Sequence, residues 1–157
     1  MIRLATRDDL GELVAMIREL AHFERALEEV EIDEAMLGRA LFGEEPAAFA
    51  RLALVDGSFA GMAIYFRSFS TWTGRPGICL EDLYVRPAHR GRGVGRALLA
   101  ELACLAVAEG CPRLEWSVLD WNAPAIAFYR SIGALPMEEW TRYRLAGLAL
   151  AAFAASG

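Results

Sequence analysis

The chain has no lysine: all sixteen of its basic residues are arginine. A phosphate-binding P-loop, which ends in Gly-Lys-Ser or Gly-Lys-Thr, is therefore excluded. Histidine is almost as scarce, with only His22 and His89, and the three cysteines (Cys79, Cys104, Cys111) show no CxxC spacing. These absences remove a zinc signature, so no metal site is expected. No histidine stands at a recognisable partner position for a cysteine nucleophile either. No apolar run approaches the ~20 residues that cross a bilayer, so no membrane partner is expected. The opening MIRLATRDDL carries charge at positions 3, 7, 8 and 9, unlike a secretory signal, and a cytoplasmic protein is expected. Internal repeats, low-complexity tracts and interdomain linkers are also missing, so residues 1–157 are read as a single domain.

What remains is a chain rich enough in apolar residues, at 55%, to bury a substantial core and to exclude disorder. Its net charge of −5 argues against a general nucleic-acid binder. The distribution of charge says more than the sum. Residues 24 to 34, ERALEEVEIDE, hold six acids against one arginine, whereas residues 86 to 96, RPAHRGRGVGR, hold four arginines and no acid. Each run alone reads as a solvated face. Two opposite patches in one small protein point instead to a ligand, or two ligands, of differing charge.

Hydrophobic periodicity orders the elements. MIRLA is a short strand, and Thr6 resembles a cap before a helix to about Phe23, with Leu10, Leu13, Val14, Ile17, Leu20 and Ala21 at helical spacing. Asp33 caps a second helix that stops at Gly43. Residues 48 to 55 and 59 to 69 form a hairpin about an Asp-Gly turn, and ICLEDLYV is a third strand after the TWTGRPG turn. Val94, Leu98, Leu102 and Leu105 mark a helix ending near Gly110, and RLEWSVLD is another strand. Asn122 caps a short helix ended by Gly133, and WTRYRLAGL is expected as a last strand. The order, β-α-α-β-β-β-α-β-α-β, describes an α/β fold with an antiparallel hairpin and at least one β-α-β crossover.

RGRGVG, residues 90 to 95, lies between a strand and a helix. Glycines there let the backbone curl, and a helix N-terminus offers unpaired N–H groups and partial positive charge, a fit for a pyrophosphate. The dinucleotide fingerprint fails because position 96 is arginine where GxGxxG needs glycine. Within the preceding strand, Glu81 and Asp82 are adjacent acids. On a regular strand neighbours face opposite sides, so one of the two must face inward or into a cleft unless a bulge intervenes. Burial raises a carboxyl pKa, which suits a general base.

LEDLYVRPAHRGRGVGRAL (80–98) resembles the acetyl-CoA motif of the GNAT superfamily of N-acetyltransferases: an apolar strand, a Val-x-Pro exit, and R-x-x-G-x-G opening a helix. DWNAPAIAFYRSIGA (120–134) resembles that family's N-x-x-A-x-x-F/Y-Y-x-x-x-G segment. The resemblance implies a mixed, mostly antiparallel sheet with a splayed central strand pair and helices on both faces. It implies acetyl-CoA as cosubstrate, its pyrophosphate cradled by Arg90, Gly91, Arg92, Gly93, Val94 and Gly95, with Arg96 a further contact. The pantetheine arm would run along Leu83, Tyr84 and Val85, with Asn122 touching it. The resemblance is closer still to the diamine branch, the spermidine/spermine and thialysine type, through IRELAHFERALEEVEI, FAGMAIYFRSFSTWTGRPGICLEDLYV and the EEW at 138–140. Carried over residue by residue, it implies Glu81 as general base, Tyr129 as general acid, and Glu24, Trp72 and Asp82 as the amine-binding group. His22 and Phe23 stand where that branch has a basic and an aromatic residue, and the tight turn at 56–58 replaces a longer insertion of the animal enzymes. The branch also implies a homodimer, to which the apolar tail RLAGLALAAFA would contribute. Alternatives are acetylation of another amine (an amino acid, an aminoglycoside or a protein N-terminus), a non-catalytic acyl-CoA sensor, and a nucleotide-binding regulator.

Overall fold

The N-terminal strand and first helix are joined by one buried carboxylate. In the computed structural model, which describes residues 1–157, Asp9 accepts from the Thr6 N–H (2.7 Å) and hydroxyl (2.8 Å). It also pairs at 2.7 Å with two nitrogens of Arg3 on β1 (Ile2–Leu4). This arrangement caps a short 3-10 turn, Arg7–Asp9, that leads into α1 (Leu10–Phe23). The Arg3 guanidinium holds the Asp9 carboxyl far below the usual carboxylate range.

Asp33 caps α2 (Glu34–Phe42), accepting from the Met36 N–H at 2.7 Å, and Gly43 follows its last turn. Next come β2 (Phe49–Val55), β3 (Ser58–Ser70) and β4 (Arg75–Val85), then α3 (Val94–Ala108) and β5 (Leu114–Trp116). The sheet runs β1-β2-β3-β4-β5; all pairs are antiparallel except β4–β5, which is parallel. This is the mixed, mostly antiparallel sheet that was expected.

Strand alternation assigns the two faces. Ala50, Leu52, Met62, Ile64 and Tyr84 pack with Leu13, Val14 and Met16 of α1 and with Leu37 and Leu41 of α2. The intervening residues face α3: Arg51 pairs with Glu101, and Val85 lies against Gly95. Helices therefore cover both faces. Leu13, Met16, Leu52, Met62, Ile78, Leu98 and Leu102 are fully buried, each contributing roughly 1.5–3 kcal/mol of transfer free energy.

The chain divides into two compact units, Met1–Ser117 and Val118–Gly157. The second holds α4 (Ala123–Ser131), capped by Asn122 through the Ala125 N–H (3.4 Å), and α5 (Gly147–Ala154). The strand expected over 140–148 does not form: 140–146 is irregular and a helix begins at Gly147. The aromatic and β-branched run WTRY suits a strand only if a partner strand pairs with it. GLALAAFA, by contrast, consists largely of strong helix formers. No helix is long and apolar enough to cross a membrane.

Candidate active site

β4 carries the site, and two irregularities shape it. Its parallel pairing with β5 lasts only from Ile78 to Leu80, although β4 itself continues to Val85. Residues 81 to 85 thus pass beyond the reach of β5, which is the splay. At the same place the β3–β4 register slips. Ile64 pairs with Asp82 and Tyr65 with Leu80, so Glu81 is an extra, bulged residue. The alternation that would have sent Glu81 and Asp82 to opposite faces is broken there. Glu81 is exposed and Asp82 half-buried.

Burial, together with the charges of Glu81 and Glu24, raises the Asp82 carboxyl to about 6. Burial also raises Glu24, the residue that follows the last turn of α1. Three carboxylates from two distant parts of the chain are therefore assembled in one place. None of them takes part in any of the ion pairs. An assembly of unneutralised acids of this kind favours a cation, and one half-buried carboxyl titrating near 6 can accept a proton close to neutrality. Trp72 stands apart from them. It is 88% exposed in the turn closing the β3–β4 hairpin. Seven strand residues separate that turn from Asp82, roughly 23 Å of extended chain at ~3.3 Å per residue.

Where β4 ends, Pro87–His89 forms a 3-10 turn and the glycine loop follows. Gly91 and Gly93 adopt φ of 72° and 78°, the left-handed region that favours glycine. Gly93 caps α3, whose first backbone bond joins the Ala97 N–H to the Gly93 carbonyl at 2.9 Å. The N–H groups of Val94, Gly95 and Arg96 are thus the unpaired first-turn donors of α3. Arg92 and Arg96 are exposed beside them. A doubly charged phosphate ester fits this loop on backbone geometry and on charge alike.

Arg90 behaves differently from its neighbours. Its Nε donates to the Val85 carbonyl (2.9 Å), and its guanidinium lies over the rings of Phe23 (5.2 Å) and Tyr84 (5.8 Å). Leu83 and Val85 are half-buried on the splayed strand, and Tyr84 is buried toward α1. In the second unit, Asn122 caps α4 and Tyr129 lies half-buried on that helix, its ring 5.4 Å from that of Phe128. Sequence reasoning passed over Arg86, Glu12 and Glu19, which form an ion-pair cluster beside the loop. The only signal was Arg86 at the head of the basic run.

A family model described as the Acetyltransferase (GNAT) family matches residues 7–134. The chain is 38% identical over 160 residues to the thialysine N-epsilon-acetyltransferase of Mus musculus, covering 95% of this chain and 94% of that one. It is 33% identical to a human spermidine/spermine N(1)-acetyltransferase-like protein, over 91% of this chain but 22% of that longer one. Among solved structures, an integron cassette protein from the mobile metagenome of V. cholerae superposes with a TM-score of 0.82. It is 28% identical over 98% of this chain and 96% of its own.

Proposed function

The chain belongs to the GNAT family of acetyltransferases, and from that premise we propose that it acetylates a primary amine of a small diamine, polyamine or lysine-like cation. The observation that carries this reading is the cluster of Glu24, Glu81 and Asp82 beside the splayed strand. The names of the thialysine and spermidine/spermine relatives support it.

Acetyl-CoA would supply the activated acetyl group. The backbone donors at 91–96 and the guanidinium groups of Arg92 and Arg96 would hold its pyrophosphate. Leu83, Tyr84 and Val85 would line the pantetheine arm, and Asn122 would contact it. The acceptor arrives as an ammonium with a reference pKa of about 10.4 and must lose a proton before attack. Glu81 takes that proton. Glu24 and Asp82 hold the cation, and Tyr129 supplies a proton to the departing thiolate; Trp72, at the far end of the β3–β4 hairpin, takes no part in holding it. Asp82 is the second reading for the base, favoured by its raised pKa. Glu81→Gln lowers kcat by about 100-fold if Glu81 is the base. Asp82→Asn gives that loss instead if the role belongs to Asp82.

Homodimer formation and a cytoplasmic location belong to the same reading, on the resemblance to the diamine branch. The deciding measurement is release of free thiol from acetyl-CoA across spermidine, putrescine, thialysine and lysine-like amines. Turnover confined to amino acids without a second amine, to aminoglycosides or to peptide N-termini overturns the diamine assignment.

A further inference from the structure

Glu12, Glu19 and Phe23 follow one another along α1 at intervals of seven and four residues, which keeps them on one stripe of the helix. All three reach the segment where β4 becomes the glycine loop. Arg86 Nε donates to both oxygens of Glu19 (3.2 Å each), and its Nη2 donates to Glu19 and to Glu12 (2.9 Å each). Its Nη1 donates to the Phe59 carbonyl at 3.4 Å, and its backbone N–H to the Ala60 carbonyl at 2.9 Å. One turn later, Arg90 covers Phe23 and Tyr84 while donating to the Val85 carbonyl. Two arginines therefore fasten the end of β4 and the start of the loop to one side of α1.

The loop needs such fastening. Nothing lies within 4 Å of the Cβ positions at Gly91 and Gly93, so packing does not hold these two left-handed residues in place. Their geometry must be imposed from the flanks, by α3 on one side and by Arg86 and Arg90 on the other. The helix that does this ends at Phe23, and the next residue is Glu24, one of the three clustered carboxylates.

We propose that Arg86 is a positioning residue for acetyl transfer: with Glu12 and Glu19, and through its neighbour Arg90, it sets the acyl-donor loop against the same helix that carries Glu24. The proposal rests on the reading that this loop holds acetyl-CoA. The arginine and glutamate side chains are partly exposed, at 26% for Arg86, 41% for Glu12 and 36% for Glu19, so the cluster adds little to global stability. What it supplies is orientation, because a guanidinium shared by two carboxylates has few alternative geometries.

The test is calorimetric titration of acetyl-CoA into wild type, R86Q, E19Q, E12Q and R67Q, with steady-state kinetics alongside. Arg67 of β3 pairs with Glu109, the residue just past the end of α3, and serves as the control. R86Q and E19Q should weaken acetyl-CoA binding by about tenfold and raise KM for the amine as well, since small misplacements at a reacting site are costly. E12Q, which leaves the paired bonds to Glu19, should change affinity by less than about threefold, and R67Q should match wild type. E19Q keeps the shape of the side chain and carries the test should R86Q fail to fold. Wild-type affinity in both R86Q and E19Q overturns the proposal, as does an equal loss in R67Q. Wild-type protein that binds no acetyl-CoA overturns instead the functional reading on which the proposal rests.

Discussion

Replacing Asp82 with Asn should stabilise the free protein while weakening its hold on the amine. The Asp82 carboxyl is raised from 3.8 to about 6 by burial and by the charges of Glu81 and Glu24, so keeping it ionised in the folded state is unfavourable. At 1.36 kcal/mol per tenfold change, this difference corresponds to roughly 3 kcal/mol, and residual solvent access lowers the expected gain to about 2 kcal/mol. The sign follows from proton linkage. Between pH 4 and 6 the folded state binds more protons at this site than the unfolded state does, so wild-type stability falls across that window and levels off above it. Asn carries no titrating group and removes that slope. Thermal unfolding without ligand, at intervals from about pH 4 to 8, should show the two proteins converging at the acid end. At pH 8 the variant should melt roughly 4–8 °C higher. A diamine added at pH 8 should raise the wild-type midpoint more than the variant's, because cation binding relieves the same repulsion. A variant no more stable than wild type at pH 8, or a gap that does not change with pH, refutes the reasoning.

Other substitutions probe the loop, the first helix and the acid. Gly93→Ala keeps open space around its new methyl group but strains a φ of 78°, and it should raise the KM for acetyl-CoA several-fold with a stability loss of about 1–2 kcal/mol. Gly61→Ala meets the Tyr84 carbonyl at 2.5 Å, backbone against backbone. It should therefore push β3 from the end of β4, lowering stability by about 1–3 kcal/mol in denaturant titrations and weakening acetyl-CoA binding. Asp9→Asn breaks a buried carboxylate–guanidinium pair and should cost about 2–4 kcal/mol at neutral pH. Because the Asp9 pKa is depressed, that contribution is fully present above about pH 4 and is lost as the solution is acidified further, which acid unfolding of wild type and variant will show. Tyr129→Phe should lower kcat by about 100-fold with little change in acetyl-CoA affinity, and equal loss of both would favour a binding role.

The local features of the fold were legible in the chain itself. Asp33 and Asn122 cap helices as their positions suggest, because a cap needs only a side-chain oxygen and an N–H three residues away. Helical spacing located α1 to Phe23, and the positive φ at Gly91 and Gly93 follows from residues that alone adopt it cheaply. Short-range rules of this kind carry no information about what lies across the fold. Thus WTRYRLAGL read as a strand, since pattern alone cannot say whether a partner strand is present, and β5 proved far shorter than RLEWSVLD suggested.

At the site, composition and order determined that a loop rich in glycine and arginine follows a strand with two adjacent acids. Tertiary structure decided which neighbours each residue meets there. The bulge at Glu81 depends on a register set by β3, fifteen and more residues upstream, and no pattern within LEDLYV encodes it. Glu24 joins Asp82 only because α1 packs against the sheet, and the raised pKa of Asp82 arises from that meeting of charges and from burial. Arg90 belongs by sequence to the glycine loop, and its guanidinium lies over two rings and donates to a carbonyl because Phe23 is brought beneath it. The chain determined which groups were available; long-range packing decided which of them meet, since charge and burial act through space and not along sequence.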